Sequence, residues 1–103
     1  MRSQNRKKGE MDQSTDFLMV GEITETKYIT TKKGDKMAVI MVEDLLRTVE
    51  VIIFPVVFSQ SEDAIQTGEI VAIKGSEETD SDGSVKVIAS EIAKYSELAD
   101  LFM

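Results

Sequence analysis

Two short apolar runs, separated by a polar turn, constrain the fold of this chain more than any other feature. Residues 37–42 read Met-Ala-Val-Ile-Met-Val, and residues 49–54 read Val-Glu-Val-Ile-Ile-Phe. Each run predicts a β-strand, because β-branched and aromatic side chains favour extended backbone. The near-continuous apolar character of the first run predicts that both of its faces are covered. In the second run, alternation around a glutamate predicts that Val49, Val51 and Ile53 share the inner face.

A further strand precedes these two, and a cationic turn connects it to them. Residues 17–31 are rich in β-branched and aromatic side chains and predict one long strand, in which Gly21 offers a place to bend or bulge. Residues 33–35, Lys-Gly-Asp, predict the turn, and residues 36–43 predict the second strand. Lysines are therefore expected at one end of this pair of strands.

The second half of the chain predicts a helix and two more strands. Pro55 ends the third strand, and residues 56–66 carry a rough helical stripe of apolar side chains that ends at Gly68. Strands over residues 69–76 and 84–92 follow. Three strands, a short helix and two strands is the order of the OB-fold, an all-β, five-stranded Greek-key barrel. In that fold the ligand surface comprises strands two and three and the one–two and four–five loops.

The chain is expected to be one domain with short extensions, since it has 103 residues. Residues 1–15 are polar and predict a flexible basic tail. Residues 16–95 hold the OB barrel, and residues 96–103 form a short C-terminal helix or tail. Ser96 is predicted to cap that helix, which would run through Phe102.

Charge is unevenly distributed along the chain. The net charge of −7 argues against strong attraction of nucleic acid to the whole surface. Residues 27–36, however, carry four lysines against one acid, and residues 2–8 carry four basic side chains and no acid. A cationic strip on an acidic body predicts weak, salt-sensitive contact with phosphate groups.

Three segments, taken together, are similar to one known family. Residues 31–38 read Thr-Lys-Lys-Gly-Asp-Lys-Met-Ala, residues 42–44 read Val-Glu-Asp, and residues 49–55 end in Phe-Pro. This pattern resembles the OB domain of the bacterial replicative DNA polymerase III alpha subunit. The resemblance implies a non-catalytic module that contacts single-stranded template within a polypeptide that is a DNA-directed DNA polymerase. Arg47 stands where the family usually has glycine, which implies a turn of different shape beside the binding face.

The candidate nucleic-acid contacts are grouped around the cationic turn. Its lysines suit phosphate contact, although they would equally suit a solvated hairpin tip that discourages edge-to-edge pairing. Tyr28 is the preferred ring for stacking a base, while Phe54 either faces outward or packs beneath the helix. The complete candidate set is Lys27, Tyr28, Thr30, Lys32, Lys33, Lys36, Arg47, Phe54, Lys74 and Lys86.

Catalysis by this domain alone is not expected. The sequence has no His and no Cys, so the commonest general base and the thiol nucleophile are missing. Glu43 and Asp44 are adjacent on a strand end and point to opposite faces. Residues 80–83, Asp-Ser-Asp-Gly, predict a hairpin turn, because a calcium loop in this frame would need glutamate at Ala89. We therefore predict no enzyme activity, no cofactor and no bound metal.

Single-stranded DNA is the expected partner, and the resemblance adds the rest of a polymerase chain and other replisome proteins as candidate partners. No membrane partner is expected, since no apolar run approaches the ~20 residues of a span. A chain without cysteine fits the cytoplasm. Two alternatives stay open: a tRNA-binding OB module of the class II synthetase anticodon type, and an OB protein–protein adaptor in the replisome.

Overall fold

Five strands and two short helices form the part of the chain that the structure describes. The computed structural model describes residues 15–101, with side chains over residues 17–98. The strands are β1 (Thr15–Thr30), β2 (Lys36–Glu43), β3 (Thr48–Ile53), β4 (Ile70–Thr79) and β5 (Val85–Lys94). The helices are α1 (Pro55–Ser61), continued by a 3-10 turn over Glu62–Ala64, and α2 (Tyr95–Leu101).

The strands close into a barrel in the order β1-β2-β3-β5-β4. Neighbouring strands are antiparallel except β3 and β5, which run parallel. The helix between β3 and β4 makes this parallel closure possible, because the chain must cross over before β5 can lie beside β3. The predicted five-stranded OB barrel with a helix between strands three and four is confirmed.

β1 is long because its two halves pair with different strands. Residues 15–22 pair with β4, and residues 22–30 pair with β2. The bend predicted at Gly21 is displaced, since the register shift lies between Ile23 and Glu25. Gly21 instead permits close approach: a Cβ there would lie 2.7 Å from the carbonyl oxygen of Glu43.

The core consists of the inward side chains of all five strands, closed at one end by α1 and the turn after it. Val49, Val51 and Ile53 are buried as predicted. The prediction that both faces of β2 are covered is wrong, because its outward side chains are only half-buried. Other core residues are Phe17, Met19, Ile23, Ala38, Ile40, Val42, Phe58, Ala64, Ile65, Val71, Ile73, Val87, Ala89 and Ile92.

Both helices differ from their predicted limits. α1 ends at Ser61, where a 3-10 turn takes over the last part of the predicted helix. Ser96 does not cap the last helix, because α2 already begins at Tyr95. Phe102 and residues 1–14 of the predicted tail lie outside the described residues. Thr15, the last residue of that predicted tail, is instead the first residue of β1. Neither α1 nor α2 is long and apolar enough to cross a membrane.

Candidate nucleic-acid interface

A tight turn between β1 and β2 carries the exposed side chains of Lys32 and Lys33. The N–H of Thr31 donates to the carbonyl of Asp35 over 2.8 Å, and the carbonyl of Thr31 accepts from the N–H of Gly34 over 2.9 Å. The Thr31 hydroxyl also accepts from the N–H of Asp35 over 3.1 Å. Gly34 has φ of 91°, a left-handed conformation that glycine adopts without strain. The two lysines are therefore attached to a backbone of fixed shape.

The outer face of β2 and β3 beside this turn is apolar and half-buried. Met37, Val39 and Met41 of β2 and Ile52 of β3 alternate with core residues and point away from the barrel interior. Strand pairing places Val39 between Ile52 and Lys27 of β1. This outer face is an apolar surface with a lysine at its margin.

Phe54 extends the outward row of β3 at the point where α1 begins. Its backbone is extended, with φ of −71° and ψ of 164°, so the alternation of β3 continues. Because Ile53 pairs with Ala38, Phe54 lies at the position next to Met37. The side chain is 47% exposed. Of the two orientations left open by the sequence, the structure therefore has the outward one.

Tyr28 lies on a different side of the barrel from Phe54. It pairs with the buried Ala38, so its side chain leaves β1 on the same side as the core residues. Its hydroxyl donates to the carbonyl of Ile65 over 3.0 Å, and its ring meets Phe58 edge-on with centroids 6.2 Å apart. The ring is still 58% exposed, but a base stacked on it would lie beside α1 and not on the outer face.

Thr30 and Lys36 lie with Tyr28 on the side that faces α1. The three residues line a groove of about 410 Å³ whose other wall includes Glu62 and Asp63. Two carboxylates opposite one ammonium group make this groove unfavourable for a phosphate.

Lys86 lies on the outward side of β5, beside Glu50 of β3. Its Nζ is 3.0 Å from Oδ2 of Asp80, and the hydrogen bond and charge of that aspartate raise the pKa of Lys86. The ammonium group already has an acidic partner, so its attraction for phosphate is reduced.

Arg47 belongs to the turn between β2 and β3, at the far end of these strands from Lys32 and Lys33. Its guanidinium carbon is 5.1 Å from the ring centroid of Phe17, and its Nη1 is 3.9 Å from Oε2 of Glu77. Arg47 therefore covers the end of the barrel where β1 starts and β4 ends.

Lys74 is exposed on β4, a strand that pairs with β1 and β5 and not with β2 or β3. It lies across the barrel from the outer face. Lys27 and Phe54 thus lie on the outward side of the sheet formed by β1, β2 and β3, and Lys32 and Lys33 lie in the turn at its end. Arg47 and Lys74 lie elsewhere.

The loop between β4 and β5 uses its carboxylates to hold its own shape. Oδ1 of Asp82 accepts from the hydroxyl of Ser84 over 2.7 Å and from its N–H over 3.0 Å, which lowers the pKa of Asp82. Within residues 15–101, no group of three or more acidic side chains is arranged to hold a metal ion.

The sequence did not indicate Met37, Val39, Met41 and Ile52 as contacts, although they make up the outer face. The apolar character of Met37, Val39 and Met41 predicts a strand that is covered on both faces. The alternation along β3 does indicate the position of Ile52, because Glu50, Ile52 and Phe54 project on the same side of the strand.

Residues 17–98 match the sequence profile of the MamS/MamX magnetosome protein family. The chain is also 32% identical over 91 residues to the DNA polymerase III subunit alpha of Aquifex aeolicus. That alignment covers 87% of this chain and only 8% of the polymerase subunit.

Two solved structures share the fold at low sequence identity. The second single-stranded DNA binding protein of Mycobacterium smegmatis has a TM-score of 0.63 and 19% identity, over 84% of this chain and 93% of that one. The mitochondrial single-stranded DNA binding protein Rim1 of S. cerevisiae has a TM-score of 0.58 and 12% identity, over 82% and 96% of the two chains.

Proposed function

This chain belongs to the MamS/MamX magnetosome protein family, and we propose that it is a non-catalytic OB module that binds single-stranded DNA weakly and without sequence preference. The observation that carries the proposal is the placement of Lys32 and Lys33 at the end of the apolar outer face. Phosphates contact the lysines, while bases lie on Met37, Val39 and Ile52 and stack on Phe54.

Neighbouring acids limit the affinity. Glu25 and Glu50 pair with Met41 on either side of the outer face, and Lys86 is already paired with Asp80. Among the residues that the structure describes, three lysines lie near this face without a salt bridge to another of those residues, Lys27, Lys32 and Lys33. Few counterions are therefore released on binding.

The similar proteins support this proposal at the level of the module. The two solved structures are of single-stranded DNA binding proteins, and the relative from Aquifex aeolicus is a DNA polymerase subunit. Since the chain matches 8% of that subunit, polymerase activity is not part of the proposal. Contact with template near a polymerase is the finer proposal, and copurification with replisome proteins tests it. Contact with a replicating polymerase also requires that the chain lies in the cytoplasm. Fractionation of cells that express the tagged chain tests this location.

Binding of a labelled oligothymidine over a salt series tests the DNA proposal. With about three phosphates neutralised at about −0.7 each, the log–log slope of affinity against salt should be near −2. Changing Lys32 and Lys33 together to Ala should weaken binding to all sequences alike and flatten the slope. Changing both to Arg should retain the slope, and Lys74→Ala should leave binding unchanged because Lys74 lies across the barrel.

Basic residues that precede Thr15 would mimic the turn, so the comparison is repeated on a chain lacking residues 1–14. Equal binding by this chain with and without Lys32 and Lys33 would show that the turn is not the phosphate contact. Competition between tRNA and the oligothymidine distinguishes the DNA proposal from the synthetase-type alternative, because a synthetase-type module should bind tRNA more tightly.

A further inference from the structure

The turn between β2 and β3 presents two leucines to solvent. Leu45 and Leu46 are 103% and 91% exposed. The turn is nevertheless well held, because Oδ1 of Asp44 accepts from the N–H of Leu46 over 2.8 Å and from that of Arg47 over 2.9 Å. The N–H of Asp44 also donates to the carbonyl of Arg47 over 3.0 Å. These leucines contribute nothing to the core and are displayed by a fixed backbone.

Leu45 continues an apolar surface that runs along β1 and β4. It lines a groove of about 550 Å³ together with Val20 and Ile70. Leu18, two residues before Val20 on the same side of β1, extends the surface and is 75% exposed. We call Leu18, Val20, Leu45 and Ile70 the β1–β4 patch. Contiguous exposed apolar side chains of this kind mark interaction sites.

The rim of the groove is acidic. Glu22, Glu43 and Asp44 line it, and the N–H groups of Leu46 and Arg47 lower the pKa of Asp44, so that carboxylate remains ionised. Lys74, which pairs with Leu18, is the basic side chain at the other end of the patch. Phosphates are repelled from the groove. A two-fold contact between copies of the chain would place the same carboxylates against one another.

We infer that the β1–β4 patch is a docking surface for a protein segment that combines leucine-like side chains with lysine or arginine. The apolar groups fill the groove at Val20, Leu45 and Ile70, and the cations meet Glu22 and Glu43. Complementary charge selects such a partner over acidic ones. The patch lies on β1 and β4, away from the outer face of β2 and β3, so this inference does not depend on DNA binding.

Titration of the isotopically labelled full chain, followed by amide chemical shifts, tests the inference. The probe is a synthetic peptide of alternating leucine and lysine, and the control peptide has glutamate for each lysine. The lysine peptide should shift the signals of Val20, Leu45 and Ile70. The Leu45→Ser, Leu46→Ser double variant should bind about tenfold or more weakly. That variant should bind oligothymidine as the unmodified chain does.

A Glu22→Gln, Glu43→Gln variant should lose the preference for the lysine peptide. Equal binding of both peptides to the unmodified chain, shifts confined to the outer face, or no shifts at millimolar peptide would overturn the inference. So would a dimer, in sedimentation experiments, that the leucine double variant converts to monomer, because the occupant would then be a second copy. Shifts of the patch signals on removal of residues 1–14 alone would instead identify the chain's own N-terminal segment as the occupant.

Discussion

The hydroxyl of Tyr28 donates a hydrogen bond to the backbone carbonyl of Ile65, 3.0 Å away. This bond ties β1 to the segment after α1, and the edge-on contact with Phe58 holds the same ring against the helix. A substitution of Tyr28 therefore changes the attachment of α1 to the barrel as well as any contact with a base.

Tyr28→Phe should lower the free energy of unfolding by about 0.5–1.5 kcal/mol, the usual net contribution of one hydrogen bond. Tyr28→Ala should lower it further, by roughly another 0.5–1.5 kcal/mol for the lost aromatic pair. Urea unfolding followed by far-ultraviolet circular dichroism measures both. A Phe variant as stable as the unmodified chain would show that the bond to Ile65 adds nothing. Oligothymidine affinity should be unchanged in the Phe variant, because Tyr28 lies beside α1 and not on the outer face.

Phe54→Ala should weaken binding of oligothymidine by about 1–3 kcal/mol, the range for loss of one base–aromatic stack. The slope of affinity against salt should stay the same, because stacking releases no counterions. Fluorescence anisotropy over a salt series measures both quantities. Val56→Ala is the matched control, since Val56 is exposed on α1 close by in the chain. Equal losses in the two variants would mean that Phe54 is not a stacking platform.

Gly21→Ala should destabilise the barrel by about 1–3 kcal/mol, as overpacking does. The added Cβ would lie 2.7 Å from the carbonyl oxygen of Glu43 and 2.9 Å from Cγ1 of Val42, so β2 must move. Val20→Ala, one residue away on the exposed side, should change the free energy of unfolding by no more than about 0.5 kcal/mol. Thermal unfolding of the two variants makes the comparison, and a Gly21 variant as stable as the Val20 variant would contradict the close approach.

Asp44 should make the free energy of unfolding fall as the pH is lowered in the acid range. The N–H groups of Leu46 and Arg47 lower its pKa in the folded chain, so its contribution is present above the unfolded value of about 3.9. It is lost as the pH falls through the folded value. Asp44→Asn should be less stable at neutral pH and should show a flatter decline of stability below pH ~4. Leu45→Ala, in the same turn, should keep the full decline. Identical acid profiles of the Asn variant and the unmodified chain would exclude this role.

The strands and the buried face of β3 could be predicted because local pattern determines them. Val49, Val51 and Ile53 alternate with polar or outward residues, and Pro55 can only follow the end of a strand at this position. The start of α2 could not be predicted in the same way. Ser96 is a good cap by residue type, but the helix continues directly from β5 and begins at Tyr95.

The arrangement of the candidate contacts could not be read from the sequence, because it depends on pairing between distant residues. Tyr28 and Lys27 are neighbours in the chain, yet their side chains lie on opposite faces of β1. Only the pairing with β2 shows which of them faces outward. Positive charge alone predicts that Lys74 and Arg47 contact nucleic acid together with the lysines of the β1–β2 turn. The strand order places both residues away from that turn.

The double pairing of β1 has a consequence for synthesis of the protein. β1, β2 and β3 leave the ribosome before β4 and β5 do, because the chain emerges from its N-terminal end. During that interval Phe17 and Met19 lack the strand that pairs with them in the finished barrel, and the three-stranded sheet has two open edges that can pair with other chains. The barrel therefore cannot close until the last strand is available. If synthesis stops before Lys94 is added, the nascent chain cannot cover its own core.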